Sequence, residues 1–185
     1  MISSQDRSGW FGASDTATIM GNWDTKTFAR FWLEKQGLVQ GGYVSHAMVA
    51  GTHYEHRILD SLGIKRRDRQ IKIRRYRLRV NLDGESGIIH EVKTYGREFR
   101  VSKAYWQQAQ VEMFVAKKPL EIVAYKLLPE DYENFFNDVD LNRITKYPIE
   151  YDPSWIESEY LPRLRYLARC LRLRKIPSQG EIDSG

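Results

Sequence analysis

Apolar positions recur at helical spacing in several stretches and alternate in short extended runs between them, which predicts a mixed α/β chain. Ser14 can cap a short helix through Met20, with Asp15 in its first turn and Gly21 and Asn22 ending it. Phe28, Phe31 and Trp32 mark a second helix, opened by Thr25 or Thr27, running to about Gln36 and closed by Gly37. A third is predicted over 45–61, with Val49, Tyr54, Ile58 and Leu62 inward and Glu55 on a neighbouring part of its surface. Strands follow over 70–74, 76–82 and 87–94. Next come a helix over 102–116, a strand over 121–127, a helix over 130–138 and a long helix over 153–173 that buries Trp155, Ile156, Tyr160, Leu164, Leu167 and Leu171. No repeat or linker interrupts residues 1–176, and residues 177–185 read as a disordered tail.

Composition narrows the class. The 185 residues are 42% hydrophobic and 12% aromatic, which suits one globular domain. No apolar run approaches membrane-spanning length, and Asp6 and Arg7 stand where a signal peptide needs an apolar segment, so the expectation is a cytoplasmic protein with no membrane contact. Cys170 is the single cysteine, which excludes an internal disulfide and a four-cysteine iron–sulfur site. The net charge of +5 is unevenly spread. Residues 65–79 hold nine Lys or Arg against Asp68 alone, an electrostatic footprint for a polyanion. A second run, Arg163, Arg165, Arg169, Arg172, Arg174 and Lys175, reads equally as a solvated face or a phosphate contact.

The densest chemistry lies between Asn81 and Lys93. On an extended strand Glu91 and Lys93 share a face while Val92 points the other way, so a carboxylate and an ammonium meet in one small site. Asp83 adds a second acid, and two carboxylates supply the hard oxygens that Mg²⁺ or Mn²⁺ prefers. A hairpin looped over residues 84–87 pairs Asp83 near Ile88, which sets Asp83 and Glu91 on opposite faces roughly 10 Å apart. A shared site therefore requires a bulge or sharp bend near Asp83. His53 and His56 have zinc-compatible spacing without an evident third ligand, and His90 faces away from Glu91.

Aspartate, then Glu-x-Lys on the next strand, with a glutamate on an earlier helix, resembles the PD-(D/E)XK nuclease superfamily, and within it the lambda-exonuclease and YqaJ-type phage recombination nucleases. Four segments match in the family's order. These are Arg7-Ser8-Gly9-Trp10-Phe11-Gly12-Ala13-Ser14, Gly51-Thr52-His53-Tyr54-Glu55, the Asp83 to Lys93 core, and Tyr105-Trp106-Gln107-Gln108-Ala109-Gln110-Val111-Glu112-Met113. Leu82 departs from the pattern, standing where the family often has a proline that shapes the bend.

The resemblance implies a restriction-endonuclease-like α/β core, a central mixed β-sheet flanked by helices, filling residues 1–176. It implies that Asp83, Glu91 and the Val92 carbonyl hold Mg²⁺, with Mn²⁺ as substitute, and that Glu55 completes the shell directly or through water. Lys93 then positions the attacking water and balances charge, Gln108 joins the site, and Tyr105 and Gln110 lie near the DNA. Arg7 and Ser14 cradle the 5′-phosphate, guanidinium offering a rigid fork and the helix start near Ser14 adding backbone donors. Without the resemblance, Ser14 reads as an N-cap and Arg7 as a tail residue. The implied activity is a Mg²⁺-dependent exonuclease working 5′ to 3′ on linear duplex ends in phage-type recombination, with a single-strand annealing protein as partner and a ring of three subunits around DNA. The alternatives are an endonuclease or repair nuclease of the same superfamily, or a DNA-binding module with a dead nuclease core.

Overall fold

A computed structural model describes residues 7–40 and 46–184. Its centre is one five-stranded sheet in the order β1 (Arg66–Ile73), β2 (Leu78–Glu85), β3 (Ile89–Tyr95), β4 (Leu120–Lys126) and β5 (Ile144–Ile149). Only β3 and β4 run parallel, and the crossover between them is α4 (Lys103–Ala116). The mixed α/β class expected from the pattern is what the chain adopts.

Two apolar layers sandwich the sheet. On one face α1 (Thr16–Ile19), α2 (Lys26–Lys35), α4 and α7 (Leu161–Leu173) enclose Phe11, Trp32, Leu78, Val80, Leu82 and Ile122. On the other, α3 (His46–Ser61) and α5 (Pro129–Glu133) enclose Tyr54, Ile58, Leu59, Val92, Val123 and Tyr125. Adjacent Ile122 and Val123 thus serve opposite layers, the period-two signature of a strand buried on both faces.

Helix starts follow their caps. Thr25 opens α2 by accepting from Phe28 N at 3.1 Å, and Ser102 opens α4 by accepting from Tyr105 N at 3.2 Å. Ser14 does not cap a helix as expected. Residues Ala13–Asp15 form a 3₁₀ turn leading into α1, and Asp15 reaches back to Gly12 N at 2.7 Å. The predicted start of α3 at Ser45 lies outside the described residues. Residues 153–173 form a run in which α6 (Pro153–Trp155) passes into α7 through a wide turn, Ile156–Tyr160. Pro162, with no N–H to give back to the preceding turn, accounts for the widening.

The pattern and the structure differ at three places. The helix predicted over 130–138 ends at Glu133, after which Asn134 adopts extended backbone. Strand β5 had no counterpart in the pattern. The tail expected to be disordered carries 3₁₀ turns over Gln179–Ser184, where Gln179 Oε1 accepts from Trp23 N at 3.1 Å and Lys175 pairs with Glu181 at 2.6 Å. Among the described residues no helix is long and apolar enough to cross a membrane.

Candidate active site

The site forms where β2 and β3 separate. Their ladder comprises only Glu85↔Ile89 and Gly84↔His90, because the connecting loop is residues 86–88. That register sets Asp83 opposite Glu91, three residues further along than the Ile88 pairing expected from sequence. Beyond it the strands part, and Asp83 Oδ2 accepts from Val92 N at 2.9 Å in place of a backbone partner.

The observed register removes the need for a bulge between Asp83 and Glu91, but β2 is irregular at this level. Leu82 packs in the α4-side layer, yet a Cβ placed on Gly84 would lie 2.6 Å from Leu59 in the α3-side layer. Strict alternation cannot send residues 82 and 84 to opposite faces, so the strand rotates through Asp83. The β1 pairing is interrupted at the same level, between Arg67↔Gly84 and Arg69↔Leu82, where Asp68 has φ +55°. Opposed to each other by the register, Asp83 and Glu91 face α4 together.

Glu91 is 3% exposed and sits at the hub. Lys93 Nζ donates to its Oε1 at 2.6 Å, and Gln108 Nε2 donates to the same oxygen at 2.5 Å. Gln108 Oε1 accepts from Lys93 at 3.3 Å, which closes a triangle of side chains from β3 and α4. The Tyr105 ring lies 5.1 Å from the ammonium. Gln108 Nε2 also donates to Glu112 Oε1 at 2.8 Å, one helical turn on. Glu112 is fully buried and was missed from sequence, where it reads as an ordinary helix glutamate between Val111 and Met113. Its i, i+4 spacing from Gln108 was the available signal.

Glu55 approaches from α3. Gly51, one turn earlier, lets that helix close on β3, since a Cβ there would stand 3.2 Å from Thr94 Oγ1. The buried Tyr54 hydroxyl, donating to Asp131 at 3.0 Å, fixes α3 against α5, and Asp131 is held in turn by Arg143 at 2.5 Å. Beside Glu55, His56 Nε2 lies 3.0 Å from Asp68 and 4.0 Å from Glu55, and the three side chains offer ligand atoms within 4.8 Å of one another. His53 instead stacks on Phe135 at 4.9 Å. His90 lies between Glu121 at 2.9 Å and Ser86 at 2.6 Å, away from the site.

The electrostatics are those of crowded acids. Burial, and then the charge of Glu91, push the Asp83 and Glu112 carboxyls well above the usual carboxylate range, and Glu55 is raised by the same causes. Burial alone would lower the Lys93 ammonium, but Glu91 outweighs it and holds the group above its ordinary value. One lysine does not balance this set. Glu91 Oε2 and Glu112 Oε2 are buried with no hydrogen-bond partner. Hard, buried, partnerless carboxylate oxygens fit a divalent cation; Asp83, Glu91 and Glu55 could hold one at this centre, and Glu55, His56 and Asp68 form a neighbouring group of candidate ligands.

The expected phosphate ligands form a separate group on the edge of β2. Phe11 N donates to Arg77 O at 2.7 Å and Arg79 N to Phe11 O at 2.8 Å, so the N-terminal segment occupies the edge that β3 vacates. Arg7 Nη2 donates to Ser14 Oγ at 2.9 Å, with both side chains exposed. Beneath them a buried Lys35–Asp15 pair at 2.5 Å secures the turn that carries Ser14, and burial lowers the Lys35 pKa. Gln110 is corrected. It is fully buried, its amide accepting from Asp152 N and donating to Glu150 O, each at 2.7 Å, so it anchors the approach to α6 and faces no ligand.

No family model and no curated protein matches the chain. Among solved structures, the crystal structure of SSO0001 superposes with a TM-score of 0.46 at 12% identity, over 92% of this chain and 79% of that one. The crystal structure of an alkaline exonuclease (LHK-Exo) from Laribacter hongkongensis superposes with a TM-score of 0.65 at 18% identity, over 96% of this chain and 92% of that one. The chain therefore shares the fold of an alkaline exonuclease, a mixed five-stranded sheet flanked by helices.

Proposed function

We propose that the protein is a Mg²⁺-dependent DNA exonuclease of the PD-(D/E)XK type, degrading linear duplex from its 5′ ends, with Mn²⁺ able to substitute. The observation that carries this reading is the convergence of Asp83, Glu91, Lys93 and Gln108, with buried carboxylate oxygens left unpartnered at the centre. The shared fold supports the same class.

In this reading Asp83, Glu91 and the Val92 carbonyl hold the ion, and Glu55 completes its surroundings. The ion, when bound, supplies a Lewis acid that polarises the phosphoryl group and acidifies a water. Lys93, kept protonated by Glu91, orients the attacking water and stabilises charge growing on the phosphoryl oxygens. Gln108 locks the Lys93 and Glu91 rotamers through both ends of its amide. Arg7 and Ser14 bind the terminal 5′-phosphate, and Tyr105 borders the scissile nucleotide. The resemblance further implies a ring of three subunits and a single-strand annealing partner. Light scattering that returned only the 21.8 kDa of one chain would reject the ring.

The direct test offers end-labelled linear duplex and closed circular duplex to the purified protein, in Mg²⁺ or in EDTA. Progressive release of nucleotides from linear DNA alone, only with the metal, is the expected result. Rapid cutting of circles would replace the exonuclease reading with an endonuclease, and tight binding with no cleavage would leave a DNA-binding module.

A further inference from the structure

Five of the nine cations of residues 65–79 fall into two groups in the folded chain. Near the active site they are matched internally, Arg66 and Arg69 by Glu85 at 3.6 and 3.0 Å and Arg67 by Asp60 at 2.7 Å. At the other end of the β1–β2 hairpin Arg74 and Arg75 are exposed, and no carboxylate of the described residues pairs with either.

Helix α7 brings the second basic run to the same place. Arg172 Nη1 donates to Arg75 O at 3.3 Å. The Tyr76 ring carries the Arg75 guanidinium at 4.5 Å and the Arg165 guanidinium at 5.8 Å. Two runs nearly a hundred residues apart in sequence thus meet around one tyrosine. Arg165 and Arg172 are exposed and likewise lack a carboxylate partner among the described residues. Packing guanidinium groups together without a counter-charge is unfavourable until an anion arrives, and their forked donors suit phosphate oxygens.

We propose that this arginine surface, built from the hairpin tip and α7, binds the phosphodiester backbone of duplex DNA at a distance from the cleavage site. The choice of duplex over another polyanion rests on the nuclease reading. Seven residues of hairpin and strand separate Tyr76 from Asp83, about 20 Å along β2. That corresponds to roughly six base pairs. The N-terminal segment carrying Arg7 and Ser14 lies along the same strand between the two ends.

The test compares wild type with the R75A/R165A/R172A triple variant in binding to duplex stems in EDTA, across salt concentration. On stems longer than about ten base pairs the triple variant is expected to lose on the order of ten- to a hundredfold in affinity, and its log–log salt slope to fall by about two to three. On stems of about five base pairs the two proteins should bind alike. Retention of most binding by R75K/R165K/R172K, and a smaller loss in R172A alone, guards against misfolding of the triple variant. An unchanged salt slope, equal loss on short and long stems, or displacement of DNA by polyglutamate of equal charge as effective as by competing duplex would overturn the proposal, the last pointing to an acidic protein partner. Metal-dependent hydrolysis of a thymidine 5′-nitrophenyl phosphate, too small to reach the arginines, reads the Asp83 centre alone. Its absence, with patch-dependent duplex binding intact, would remove the nuclease reading and leave this surface standing.

Discussion

Lys93 is the sole cation drawn into direct contact with the acid cluster among the described residues, and its position between Glu91 and Gln108 predicts how its loss should read out. Lys93→Ala should lower single-turnover cleavage by about 10²–10³-fold, the usual cost of one preorganised charge contact to a transition state. Duplex affinity in EDTA should change little, because the contact strengthens only as charge develops. Cleavage above a tenth of wild type would sink the role. The acids make a second prediction, in which the sign matters. Asp83, Glu112 and Glu55 have folded-state values above their unfolded ones. Each therefore adds stability when protonated, and that contribution is lost as pH rises through the raised folded values. Metal-free protein should gain stability as pH falls from neutral toward about 4. A divalent cation should do the reverse, stabilising most at pH 8, where no protons compete. At a hundred times Kd the gain is about 2.7 kcal/mol, or roughly 5–10 °C in Tm for a chain of this size. Differential scanning with Mn²⁺ checks this, and an undiminished shift in Asp83→Asn would exclude that carboxylate as a ligand. Much of this cluster was legible beforehand, since Glu-x-Lys alternation alone sets Glu91 beside Lys93. Glu112 was not, because nothing local in Gln110-Val111-Glu112-Met113 distinguishes a buried glutamate from a solvated one.

At the scale of elements, the helices with strong caps and periodic apolar residues were readable, while the edge of the sheet was not. Strand β5 contains Lys146 and Pro148 and is mostly exposed or half-buried, so it lacks the alternation that marks a strand with one buried face. The hairpin was readable in outline, but its loop length was not, and a difference of three residues in register decided whether Asp83 could meet Glu91 at all. Gln110 shows the opposite failure. Two residues along a helix turn about 200°, so Gln108 and Gln110 cannot both serve a site on one face. Gln108 faces the acids, and Gln110 faces the link into α6. Gln110→Leu should therefore cost about 2–3 kcal/mol by stranding the Glu150 carbonyl and the Asp152 amide. Urea denaturation should show that loss while the cleavage rate of the folded variant stays near wild type. A tenfold drop in cleavage at unchanged stability would return Gln110 to the DNA-binding surface.

For the whole molecule, the deciding question under the proposed nuclease reading is whether the N-terminal segment confers specificity for DNA ends. The shared fold extends over nearly the full chain, but a fold does not fix a function, so any specificity must come from side chains. Arg7 and Ser14 are the pair to test, since they meet at 2.9 Å on an exposed turn that the buried Lys35–Asp15 pair holds in place. If they bind the terminal phosphate, 5′-phosphorylated linear duplex should be degraded much faster than its 5′-hydroxyl counterpart. Arg7→Ala should erase that preference while slow, metal-dependent cleavage persists. A charge-assisted phosphate contact is worth about 1.5–3 kcal/mol, so the preference should be on the order of ten- to a hundredfold. Ser14→Ala, which removes a single neutral hydroxyl, should lower the preference less. Equal wild-type rates on the two duplexes would show that no 5′-phosphate pocket operates, and Arg7 would then be a surface residue that caps the turn through Ser14.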